Sequence, residues 1–346
     1  MERAIPLVSV RRGAIEESLH RGALVLLHGE DEICVRGDAA WVVYYRSVSK
    51  PLQALVAVTS GAADALDLVD EELAVATGSH NAEPRQLEMV RSILAKAGLD
   101  EGHLSCGGHY SIDASRAREQ HRSTDTPPPI WSSCSGKHAL MLATARHLGQ
   151  PLGTYLDPSH PLQMTIREHI ARLAGMDVDA VIVGRDDCGT PAYAVPLRNL
   201  ALSLQRFGQP DALPPALARA CRRVAAAMDR HPRMVGGLRR IDTDLMEGTQ
   251  EVLLAKAGAE GVYGWVAPAR GLALALKAED GSDRAWRLVV VDLLEQVGIL
   301  DHPTAATIRS RHCDPVIRDH GGVPVGRLVA QTPDTSALQG FPDGNA

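Results

Sequence analysis

Arg46-Ser47-Val48-Ser49-Lys50-Pro51 stands between two apolar stretches of different character, and its reading decides how the chain folds. Before it, Trp41-Val42-Val43-Tyr44-Tyr45 is an aromatic and β-branched run that reads as a buried strand. After it, Leu52-Gln53-Ala54-Leu55-Val56-Ala57-Val58 reads as a buried helix. Ser47 and Lys50 are three apart. In a helical or 3₁₀ turn that spacing puts both side chains on one face, close enough for an amine to take a hydroxyl proton. Pro51 is comfortable only in the first turn of a helix and pushes the residue before it out of the α region. The Ser-Lys turn is therefore expected at the mouth of the helix, where amide donors and the dipole favour a developing anion.

Outward from that turn, residues 4–45 read as short strands separated by Arg-Gly, His-Gly-Glu-Asp and Arg-Gly-Asp turns, an antiparallel hairpin or meander. From 51 to about 175 the pattern is helical. Glu83 to Ala97 carries apolar residues at Leu87, Val90, Ile93 and Leu94, with Gly98 as a C-cap. His138–Leu148 and Leu162–Leu173 are comparable, and Thr124 to Pro129 is a stiff loop. Ala180-Val181-Ile182-Val183 is a short buried strand delivering a turn-rich loop, Gly184 to Pro191. Helices follow around Leu197–Phe207 and Pro214–Arg230. The stretch 251–298 reads strand, strand, strand, helix. Strands at both chain ends with helices between them imply an α/β (α+β) fold. Its central, mostly antiparallel sheet comes from residues 1–50 and 250–331, and its helical part from 51–249. Residues 1–331 are expected to form a single catalytic unit, and the polar tail 332–346 to be disordered.

The composition removes several classes of function. The chain is 45% hydrophobic and 23% charged, with net charge −6 and no basic block, which argues against nucleic acid and anionic membranes. No run approaches a membrane span, and the charged N-terminus lacks the apolar core of a secretory signal. Cys34, Cys106, Cys134, Cys188, Cys221 and Cys313 are scattered rather than framed as disulfides, so a reducing cytoplasm is expected. Of 36 basic residues only Lys50, Lys96, Lys137, Lys256 and Lys277 are lysine. Arginine cannot give up a proton at neutral pH, so a chain that prefers it keeps lysine where proton transfer or amine ligation matters.

Ser-x-x-Lys alone is a weak signal. It gains from Ser79-His80-Asn81 after the apolar run Leu73-Ala74-Val75-Ala76, and from Lys256-Ala257-Gly258 directly off the strand Val252–Ala255. Ser-x-x-Lys, Ser-x-Asn and Lys-x-Gly, in that order, follow the pattern of serine acyl-transfer enzymes of the penicillin-recognising type. A serine hydroxyl is a poor nucleophile until a base takes its proton, and two lysines converging on one pocket depress each other's pKa. The plainer reading makes Ser47 a helix cap and Lys50 a surface charge. Ser132-Ser133-Cys134-Ser135-Gly136-Lys137-His138 and Arg185-Asp186-Asp187-Cys188-Gly189-Thr190-Pro191 form a second pair of turns, each with one cysteine. They admit three readings: a thiolate metal site, buried small hydrophobes, or a catalytic cysteine.

The segments Arg46 to Ala54, Ser79 to Pro84, Cys106-Gly107-Gly108-His109, Cys134 to His138, Asp186 to Gly189 and Ala255 to Tyr263 together resemble the L-asparaginase II family, typified by the inducible rhizobial enzyme. The resemblance runs from about residue 5 to 330. It implies an amidohydrolase splitting L-asparagine to L-aspartate and ammonia, a fold like that of serine β-lactamases and glutaminases, and a homodimer. It further implies two tandems at one site, Ser47 with Lys50 and Ser79 with Lys256. Zinc is implied on Cys134, Lys137 and Cys188, with Asp186 beside it, organising the pocket rather than activating water. Three segments depart from the family pattern. Its Asp-Gly-Cys-Gly is Asp186-Asp187-Cys188-Gly189 here, its Gly-Thr-Gly-Arg is Gly237-Leu238-Arg239-Arg240, and its Ser-His-Ser-Gly-Glu-Pro is Ser79-His80-Asn81-Ala82-Glu83-Pro84.

The expected function is therefore cytoplasmic hydrolysis of a small amide, with Ser47, Lys50, Ser79 and Lys256 catalytic and Arg46, His80, Asn81 and Asp186 around the substrate. The rivals are a glutaminase or β-lactamase-like acyl hydrolase on the same scaffold, and a catalytically idle zinc- or amino-acid-binding homologue.

Overall fold

The aliphatic and β-branched first forty residues, broken at Gly13 and Gly29, form strands β1 (Ile5–Arg12), β2 (Ile15–His28) and β3 (Asp31–Arg36). The Trp41–Tyr45 run supplies β4 (Val42–Tyr44). Further on come β5 (Ile182–Arg185), β6 (Pro191–Pro196), β7 (Leu254–Ala257), β8 (Val262–Ala267), β9 (Leu272–Ala278), β10 (Val316–Arg318) and β11 (Pro324–Ala330). The helices begin with α1 (Lys50–Thr59), α2 (Ala62–Ala65), α3 (Asp70–Thr77), α4 (Pro84–Lys96), α5 (Ala114–His121), α6 (Ser135–His147) and α7 (Pro161–Ala174). They continue with α8 (Leu197–Gly208), α9 (Pro215–Arg230), α10 (Pro232–Val235), α11 (Ile241–Thr249), α12 (Arg287–Gln296) and α13 (His302–His312). This computed structural model describes residues 2–333. Of the tail expected to be disordered, all but its first two residues lies outside the described residues.

The chain divides into two compact units, both discontinuous in sequence. The first takes residues up to Val43, Pro196–Gln205, and the chain from Asp244 onward. Its sheet runs β10-β11-β1-β2-β9-β8-β7, with β3 also on β2, so both chain ends meet in one sheet as the strand pattern predicts. The ladders are antiparallel: Val8 faces Ala330 on one side of β1, and Val25 faces Ala275 across β2 and β9. Ala23 to Leu27 are buried without alternation, so that part of β2 is covered on both faces. α12 buries Leu288, Val289, Val290, Val291, Leu293 and Leu294 and packs on β1, β11 and α13.

The second unit spans Tyr44–Val195 and Arg206–Thr243. α1 is buried continuously from Lys50 to Ala57, as a helix apolar on all sides must be, and packs against α3, α6, α7 and α9. α6 is equally enclosed, from Ser135 to Ala145. A Cβ on Gly136 would come within 2.5 Å of the Val75 carbonyl oxygen, so only glycine lets the first turn of α6 lie against α3. A three-stranded sheet, β4-β6-β5, carries the chain into this unit, where the Tyr45 amide donates to the Tyr193 carbonyl at 2.9 Å.

Four elements, β6, α5, β10 and β11, differ from the sequence reading. β6, Pro-bounded yet wholly buried from Pro191 to Val195, continues what reads as loop. α5, Ala-Ser-Arg-Ala-Arg-Glu-Gln-His, has no apolar stripe. It is started by the Asp113 carboxylate, which accepts from the Ser115 and Arg116 amides. β10 and β11 are short, half-exposed and rich in arginine and glycine, which leaves no alternation to read.

Candidate active site

Arg46 to Ser49 form one 3₁₀ turn that runs directly into α1, with Pro51 in the first turn of the helix. Lys50 is thus the first helical residue, and its side chain is buried, 1% exposed. Its Nζ lies 2.6 Å from the Gly78 carbonyl, 3.1 Å from the Ser133 carbonyl and 3.1 Å from Ser79 Oγ. Two of these neighbours can only accept. The third is a hydroxyl, which can donate to an amine or accept from an ammonium without any heavy atom moving. Ser79 is 6% exposed and follows Gly78, the C-cap of α3. Its amide is held by the Val235 carbonyl at 2.9 Å.

The pairing differs from the one expected. Lys50 is hydrogen-bonded to Ser79 rather than to Ser47, because the two carbonyls draw its amine toward the Gly78–Ser79 loop. Ser47 is half-buried, and its hydroxyl makes no hydrogen bond among the described residues. Lys256 belongs to the first unit. It lies on β7, is 2% exposed, and its Nζ donates to the Ala257 carbonyl at 2.8 Å.

The residues after Ser79 divide by role. His80 is fully buried, with Nδ1 accepting from the Ala82 amide at 3.1 Å and Nε2 2.9 Å from Ser135 Oγ. Ser135 Oγ itself donates to the Ile130 carbonyl, so the ring is the Nε2–H tautomer donating to Ser135. Burial, then the nearby Lys50 and His109, push its pKa down to about 3. His80 is thereby a neutral strut, both of its nitrogens being spent inside the fold. Asn81 donates from Nδ2 to the Leu238 carbonyl at 3.0 Å, while its buried Oδ1 has no partner among the described residues.

The second cluster adjoins the first through Ser133. Cys134 is the N-cap of α6 and Lys137 is in its first turn. Lys137 Nζ is 2.8 Å from Thr190 Oγ1 and 3.2 Å from Cys188 Sγ. Interaction with the neighbouring Cys134 thiol above all pulls the Cys188 pKa down against the effect of its burial, with Lys137 adding to the shift, while the same interaction and then burial raise Cys134. Burial alone would lower Lys137, but Cys188, Cys134 and Asp186 outweigh it and raise its pKa. His138 Nδ1 is 2.7 Å from the Tyr155 hydroxyl, and its buried Nε2 faces the Cys188 sulfur without a well-formed hydrogen bond. Among the described residues no three His, Cys, Asp or Glu side chains gather as a metal cage. Two sulfurs and an amine do gather, a set of donors of the kind a soft cation takes.

Arg46 holds the mouth of this region. It sits at φ +48°, a left-handed conformation costly for a side-chain-bearing residue. Its Nε is 3.1 Å from Asp186 Oδ1 and its Nη2 is 2.5 Å from Asp187 Oδ2. Burial would lower its pKa, but the two carboxylates more than reverse that.

Sequence spacing brought Ser47, Lys50, Ser79, Cys134, Lys137, Cys188, Asp186 and Arg46 forward. It missed the Gly78 and Ser133 carbonyls that aim Lys50, and Tyr155 beside His138. It also missed the role of exposed His109, whose Nε2 accepts from the Ser133 amide at 3.0 Å. Backbone carbonyls leave no sequence signal.

A hydroxyl 3.1 Å from a buried amine is the equipment of a serine-type hydrolase. The chain belongs to the L-asparaginase II family, whose description matches residues 8–330, and it is a hydrolase on that ground. No curated protein sequence matches it. Similar solved structures include a β-lactamase from Mycobacterium bovis, 17% identical, covering 79% of this chain and 93% of that one at a TM-score of 0.39. A putative β-lactamase from Bacteroides dorei is 16% identical, covering 74% and 84% at 0.40. A class C β-lactamase from Rhodobacter sphaeroides is 15% identical, covering 75% and 90% at 0.38.

Proposed function

We propose that the chain hydrolyses the side-chain amide of L-asparagine through a serine ester. The observation that carries this is the Lys50 amine, held by two carbonyls and facing a serine hydroxyl, one turn after a second serine whose own hydroxyl makes no bond among the described residues. Ser47 Oγ attacks the amide carbon, being the more open and uncommitted hydroxyl. Its proton passes by way of Lys50 and Ser79 to the amide nitrogen, the C–N bond breaks, and ammonia leaves. Water then attacks the ester and restores Ser47. The family resemblance adds Lys256 as a second amine able to move a proton. Amides at the N-terminus of α1 hold the oxyanion, a contribution typically worth about 3–4 kcal/mol. Asn81 Oδ1, without a partner among the described residues, is available to an N–H of the substrate.

Zinc is part of the same proposal: Cys134, Lys137 and Cys188 would hold it, with Asp186 nearby. When bound it supplies a fixed positive charge that locks the two cysteine loops together. A cytoplasmic homodimer is also proposed, and light scattering checks the dimer. Among the described residues no helix is long and apolar enough to cross a membrane.

Ammonia release measured across L-asparagine, L-glutamine and small β-aspartyl amides, beside a chromogenic β-lactam, tests the substrate assignment. Asparagine turnover that disappears in Ser47→Ala is expected. β-Lactam hydrolysis without ammonia release would move the chain to the acyl-hydrolase reading. Ligand-induced stabilisation with no product would make it an idle binder.

A further inference from the structure

Arg46 adjoins Ser47 and is the side chain expected to hold the α-carboxylate of an asparagine-like substrate. Its fork is already engaged: Asp186, 12% exposed, takes Nε and Asp187, 90% exposed, takes Nη2. With glycine at 187, as the family has it, Arg46 and Asp186 would balance. With aspartate the two carboxylates outnumber the Arg46 guanidinium by one negative charge.

We propose that Asp187 sets which amides this site accepts, disfavouring a free α-carboxylate and favouring net-cationic amides whose α-carboxyl is blocked. This rests on the amidohydrolase reading above for its catalytic arm only. Asp187 acts by its charge and touches no reacting atom. Because it is largely exposed, its effect is moderate and screened by salt.

The test compares wild type, Asp187→Asn, which keeps the shape and loses the charge, and Asp187→Gly. Ammonia release is measured on L-asparagine and on its α-N-methylamide, where only the side-chain amide yields ammonia. The expected result is that both variants raise kcat/KM for asparagine relative to the methylamide by about three- to tenfold, the scale of one exposed charge several ångströms away. Calorimetric binding of L-aspartate should tighten by a similar factor in both variants, and the gap should narrow in high salt. Unchanged ratios and unchanged aspartate binding would overturn the proposal, as would a gain confined to Asp187→Gly, which would assign the effect to backbone rather than charge. If no variant releases ammonia but aspartate binding tightens as expected, the hydrolytic reading falls and the role of Asp187 stands.

Discussion

Ala82 sits at φ +56° and Arg239 at φ +60°, each where the family pattern has glycine. A left-handed conformation costs a residue with a side chain about 1–2 kcal/mol, and glycine gives back part of that in chain entropy. Ala82 has no polar side chain to offset the cost, so Ala82→Gly should stabilise the protein by about 0.5–1 kcal/mol, a rise of about 1–4 °C in Tm. Arg239 regains some of it by pairing with Asp113 through Nη2 at 2.7 Å and Nε at 3.0 Å, an exposed bidentate contact. Arg239→Gly should therefore change Tm very little. Thermal melts of both variants check the pair, and a destabilised Ala82→Gly would contradict the strain argument. The two substitutions are visible in the sequence, but their cost lies in backbone angles that no composition reports. The same holds for Lys50. Three-residue spacing pointed it at Ser47, and two carbonyls from remote loops turned it to Ser79.

α1 and α6 bring the site together; the all-round burial of α1 was plain in its apolar sequence, whereas that of α6, which reads like the one-faced helix at 83–97, was not. The junction between α6 and α3 was less plain. Gly136→Ala would drive a methyl into the Val75 carbonyl at 2.5 Å, and should cost about 1–3 kcal/mol or more and displace Cys134 and Lys137 together. The loop between α3 and α4 hangs on His80. Its folded pKa is depressed from 6.5 to about 3, so the neutral ring stabilises the fold in full above about pH 6.5. That stability is lost as pH falls toward 3, by up to about 1.4 kcal/mol per unit. Melts from pH 7 to 4 should show this slope, and it should flatten in His80→Gln. An equal slope in the variant would place the acid sensitivity elsewhere. α5, β10 and β11 escaped the sequence reading because caps and ladder pairing hold them, not periodicity.

For the molecule as a whole, the joining of both chain ends in one antiparallel sheet was legible, since apolar runs at 4–45 and 251–278 have no other way to cover their faces. The gathering of Cys134, Lys137 and Cys188 was one of three readings open from the residues and was singled out by the family pattern, because the cysteines lie 54 residues apart with no paired spacing. If these three hold zinc, metal analysis should find one equivalent per chain in the wild type and none in Cys188→Ala. A chelator should lower Tm in the wild type alone. A metal-free protein of unchanged Tm would remove zinc from the account.

The account turns on the Lys50 amine as the group that moves the serine proton. Ammonia release from L-asparagine should be compared in wild type and Lys50→Met, with a melt of each protein alongside. A folded Lys50→Met whose rate drops by about a thousandfold or more is the predicted result; a folded Lys50→Met that keeps the wild-type rate would contradict it.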